Sequence, residues 1–91
     1  MQTLPRSTMT KKVTRDEQFL IKLYELSSKL GTPHEPIDRY EVGRAIGQND
    51  KGTYVISRDL AQANFIKKSE EDMVYLTDNG LRLVESLLVR G

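Results

Sequence analysis

The sequence predicts a small, mainly α-helical domain with one β-hairpin, its elements running helix, helix, helix, strand, strand, helix. Three observations carry that expectation. Apolar residues recur at helical spacing behind a capping pattern at Thr14; two further helical segments flank a turn at Gly47; and the run from Phe65 to Leu88 passes from a hairpin into a capped helix. At 91 residues there is chain enough for one core, which buries roughly 60% of the surface the unfolded form exposes.

Residues 1–13 are rich in Thr, Lys and Pro and lack apolar periodicity, so they read as a disordered basic arm, with the folded domain over residues 14–91. Helix 1 begins behind Thr14, whose hydroxyl and the Glu17 carboxylate make a capping box. Phe19, Leu20, Leu23, Leu26 and Leu30 form its apolar stripe, and Gly31 ends it. Thr32 to Pro36 is a loop, because two prolines remove donors and fix the backbone. Asp38 caps helix 2, with Ile37 and Val42 in the staple positions, and the helix stops near Gly47.

Helix 3 is expected from about Lys51 to Ala63, with Asn64 as a left-handed terminator. Its β-branched Thr53, Val55 and Ile56 give weak intrinsic propensity, so packing must hold it. Met73-Val74-Tyr75-Leu76 suits a pleated strand, and Ser69 to Asp72 has the length of a hairpin loop. The period changes at Thr77, which caps helix 4; Leu76 and Leu81 are its staple pair.

These residues resemble the winged helix-turn-helix superfamily, in particular small prokaryotic transcription regulators of the MarR and PadR type. The likeness rests on Asn64-Phe65-Ile66, on Tyr75-Leu76-Thr77-Asp78-Asn79-Gly80, which is similar to the family's strand-to-helix Leu-Thr-x-x-Gly, and on Val42 to Gly47 as helix 2. It implies a recognition helix, helix 3, in the major groove of double-stranded DNA. At about 100° per residue, Ile56, Leu60 and Ala63 point one way and Tyr54, Ser57, Arg58 and Ala61 the other. Arg58 and Tyr54 are then expected at base edges, and Lys51 and Ser57 at phosphates. Lys67 and Lys68 on the hairpin, and Arg6, Lys11, Lys12 and Arg15 at the N-terminus, are further candidates for phosphate contact.

Charge divides unevenly along the chain. Residues 1–15 hold four of the fourteen basic side chains and none of the thirteen acidic ones, so residues 16–91 carry ten basic against thirteen acidic. The hairpin loop itself carries Glu70, Glu71 and Asp72, which repel phosphate. An alternative of a different class therefore stands beside the regulator: a protein-protein interaction module on the same fold.

Helix 4 is apolar on more than one side. Leu81, Val84 and Leu88 are expected to pack on helix 1, leaving Leu83 and Leu87, with Ile21 of helix 1, for a homodimer interface. A two-fold dimer would present two recognition helices about one DNA turn, roughly 34 Å, apart.

No enzyme is expected. The single His34 lies in a Pro-flanked loop, where a solvated or hydrogen-bonding imidazole outweighs a ligand or base, and the loop carboxylates make no metal cage. Residues 47–53 lack the order of a phosphate-binding loop, so no cofactor is expected. Without cysteines, a membrane-length apolar run or a signal peptide, the expected location is the cytoplasm.

Overall fold

The computed structural model describes residues 13–90. The expected arm therefore falls almost wholly outside the described residues, and Arg6, Lys11 and Lys12 with it. Within them lie four helices, α1 (Arg15–Lys29), α2 (Arg39–Ala45), α3 (Asp50–Gln62) and α4 (Asp78–Arg90), and three strands, β1 (Ile37–Asp38), β2 (Ile66–Lys68) and β3 (Met73–Leu76). The chain order is α1-β1-α2-α3-β2-β3-α4. This corrects the expected helix-helix-helix-strand-strand-helix arrangement: a strand stands between the first two helices, and the hairpin is part of a three-stranded antiparallel sheet ordered β1-β3-β2.

The extra strand has a local cause. Pro36 keeps the segment out of a helix, and Ile37 is then buried opposite Val74 while Asp38 pairs with Met73. Two residues are too few to show an alternating pattern, so the strand is visible only through its partner. Asp38 also caps α2, its carboxylate accepting from the Tyr40 amide at 2.8 Å. The Arg39 amide adds one more bond across the sheet, donating to the Asp72 carbonyl at 2.9 Å.

Elsewhere the caps fall where the residue types put them. Thr14 and Glu17 complete the capping box, with bonds of 3.1 and 3.0 Å. Asn49 caps α3 through the Gly52 amide at 2.8 Å, and Asn64 ends it at φ 68. Gly47, at φ +82, turns the chain between α2 and α3 where a side chain would strain the backbone. Thr77 does two tasks: its hydroxyl accepts from the Gly80 amide at 3.0 Å and donates to the Asn64 carbonyl at 2.7 Å, locking the start of α4 to the end of α3.

All seven elements feed one core. Phe19, Leu20 and Leu23 come from α1, Ile37 from β1, Val42 from α2, Ile56 and Leu60 from α3, Ile66 from β2, Val74 and Leu76 from β3, and Val84 from α4. Each such side chain stabilises the fold by roughly 1.5–3 kcal/mol when fully buried. The α2–α3 crossing is close because Gly43 lacks a side chain: a Cβ there would overlap Thr53. Gly80 plays the same part at the start of α4, where a Cβ would meet the Phe65 carbonyl.

Candidate nucleic-acid interface

Helix α3 is anchored by one stripe, Thr53, Ile56, Ser57 and Leu60, all buried and spaced at i, i+3, i+4 and i+7. The opposite side carries Lys51, Tyr54, Val55 and Arg58, all exposed. Tyr54 is 48% exposed. Among the described residues the Arg58 guanidinium makes only long contacts, 3.3 and 3.4 Å, to the carboxylate of its neighbour Asp59, and such a fork can turn to another acceptor.

Ser57 departs from the expectation. The expectation sets it on the outer side with Arg58, but it lies about 60° around the helix from Leu60 and is 2% exposed, its hydroxyl donating to the Tyr54 carbonyl at 3.0 Å and accepting from Arg39 Nη1 at 3.2 Å. A phosphate has no access to it. Ala63, expected on the inner side, is exposed at the helix end. The stripe keeps the helical period, and the packing of α1, α2 and β2 against α3 selects which side it occupies.

The residue that sequence reasoning missed is Arg39. Its Nη2 donates to Asp72 Oδ1 at 3.0 Å and its Nη1 to Ser57, while the guanidinium carbon lies 5.2 Å from the ring centroids of both Tyr40 and Tyr54. The side chain is only 13% exposed. One group thus joins α2, α3 and the hairpin loop, and holds the Tyr54 ring by a cation–π contact. A signal was present: a cation directly behind a helix N-cap opposes the helix dipole and needs a compensating partner.

That contact also changes the hairpin tip. Asp72 is engaged by Arg39 while its side chain stays half exposed, and Glu70 and Glu71 are the more exposed loop residues. Lys67 and Lys68 are exposed on β2, and Arg15 is exposed in the first turn of α1.

The expected dimer residues are not the open ones. Ile21 and Leu83 are partly buried against the molecule's own core, and Leu87 is partly buried as well. Leu88, expected on the inner stripe, is 47% exposed, and Val89 is 85% exposed. The close seat of Gly80 on Phe65 fixes the rotation of α4, so the inner side runs through Gly80, Leu83, Val84 and Leu87.

His34 is a hydrogen-bonded loop residue. Its Nδ1 donates to the Leu76 carbonyl at 2.7 Å, which leaves Nε2 3.6 Å from the Asp78 carboxylate. Among the described residues no cluster of His, Cys, Asp or Glu is arranged to hold a metal ion, and no helix is long and apolar enough to cross a membrane. No family model matches the chain, and comparison with curated proteins and with solved structures found no match.

Proposed function

We propose that the chain is a sequence-specific DNA-binding transcription regulator that lays α3 in the major groove, works as a homodimer, and carries out no catalytic step. The observation that supports this reading is the division of α3 into a wholly buried stripe and an opposite side bearing Lys51, Tyr54 and Arg58. From Lys51 to Arg58 the helix rises about 10.5 Å, comparable with the roughly 12 Å width of the major groove. A guanidinium can take guanine O6 and N7 together, and a lysine at the first turn meets phosphate. Kinship with MarR- and PadR-type regulators, and a cytoplasmic location, belong to the same proposal.

Titration of labelled duplex at several salt concentrations tests it. Binding through phosphate contacts lowers log affinity linearly with log salt. Absence of any binding at low salt rejects the regulator.

A second reading, a protein-protein interaction module, is favoured by the exposed Glu70 and Glu71 beside Lys67 and Lys68 and by the exposed Leu88 and Val89. These features suit a protein surface better than a phosphate backbone. The same titration separates the two.

A further inference from the structure

A groove of about 700 Å³ opens between the loop before β1, the β2–β3 hairpin and the first turn of α4. Its floor follows from strand alternation. Ile66, Val74 and Leu76 turn into the core, so the cross-strand pair Lys67 and Tyr75 shares the other side of the sheet. The phenol ring is half-buried and the ammonium group exposed.

The rim is held by bonds already made. His34 donates to the Leu76 carbonyl at 2.7 Å, Thr77 to the Asn64 carbonyl at 2.7 Å, and Arg82 Nη2 to Asn79 Oδ1 at 2.8 Å. These bonds fix the backbone around the groove, and Arg82 among the proposed contacts is already held, which lowers the entropy lost when a ligand arrives. The volume lies within the roughly 300–1,000 Å³ range of small-molecule sites. The chemistry of the lining is an aromatic ring, the basic side chains Lys67 and Arg82, amides, and the Asp78 carboxylate, which lies 3.6 Å from His34 Nε2.

An aromatic ring beside cations suits a flat base that carries a phosphate: the ring stacks, the cations take the anion, and amides and a carboxylate meet the polar edge of the base. We propose that this groove binds a nucleoside monophosphate, with the base on Tyr75, the phosphate at Lys67 and Arg82, and Asn64 and Asp78 as partners for the base edge. The site shares no residue with the exposed side of α3; Lys67 is also a candidate phosphate contact for a duplex, so Arg82→Gln and Tyr75→Leu are the variants that separate this groove from the duplex reading.

The test is calorimetric titration of the full chain with AMP, GMP, CMP and UMP, with adenosine and inorganic phosphate as separate arms. At least one monophosphate binds, and adenosine and phosphate each bind at least about tenfold more weakly, since each lacks half of the recognition. Arg82→Gln and Lys67→Gln, both at exposed positions, each weaken binding about fivefold. Tyr75→Leu weakens it about tenfold with unchanged circular dichroism; if that variant unfolds, the two surface variants carry the test alone. Arg58→Ala leaves nucleotide affinity unchanged. Failure of every monophosphate to bind at millimolar concentration overturns the proposal. So does inorganic phosphate binding as tightly as the nucleotides, or affinity indifferent to Arg82→Gln and Lys67→Gln.

Discussion

Arg39 donates to Asp72 at 3.0 Å across 33 residues of sequence, joining the start of α2 to the last residue of the hairpin loop. The same guanidinium reaches Ser57 on α3 and lies between two tyrosine rings, so its removal is felt in three elements. Arg39→Ala should cost about 2–3 kcal/mol in urea unfolding, because the packing of the stem and the charge-assisted bonds both go. Asp72→Ala should cost about 1 kcal/mol, because that carboxylate is half exposed and screened. Arg39→Lys should recover little, since one ammonium cannot serve two acceptors and two rings in a planar fork. Equal, negligible effects of all three would show the clamp to be idle.

The α2–α3 crossing offers a second test. Gly43→Ala should destabilise by about 1–3 kcal/mol, because the new methyl meets the Thr53 side chain. The Thr53 hydroxyl is buried and has no hydrogen-bond partner among the described residues. Thr53→Val should therefore be neutral or stabilising by about 1 kcal/mol. The pair Gly43→Ala with Thr53→Ala should be less damaging than the sum of the single changes, and a double-mutant cycle on thermal unfolding reads that coupling.

Under the regulator reading, Arg58→Ala should relax base preference at one position of the bound site, at a cost of about 1–3 kcal/mol in discrimination. Fluorescence anisotropy on a panel of duplexes measures it. Removing residues 1–12 should instead weaken all duplexes alike and flatten the salt slope by about 0.9 for every phosphate that the arm neutralises. Arg58→Ala without change on any duplex would take α3 out of the groove.

For the homodimer, burial now selects the residues to change. Leu88→Glu with Val89→Glu, both at exposed positions, should leave helicity intact and halve the mass in sedimentation. Leu83→Glu should behave differently, reducing stability by about 2 kcal/mol or more, because that side chain packs on its own core. An unchanged mass for the double variant would remove α4 from the interface.

Caps, breakers and period were written in short stretches of sequence. Thr14 with Glu17, Asp38, Asn49 and Thr77 each cap a helix, and each acts on amides two or three residues away. Asn64 ends α3 in the left-handed region as its residue type allows. Such features depend on neighbours in the chain, so reading along the chain finds them.

What the chain by itself determined was therefore where helices start and stop, that Met73 to Leu76 is a strand, and that one apolar core forms. Only the tertiary structure decided that Ile37 and Asp38 join that strand, that Ser57 points inward, that Leu83 is covered while Leu88 is open, and that Arg39 lies between two tyrosines. The reason is physical: a helix's spacing limits which residues can share a side, but its rotation is set by close approaches such as Gly80 on Phe65 and Gly43 on Thr53, between residues far apart in the chain.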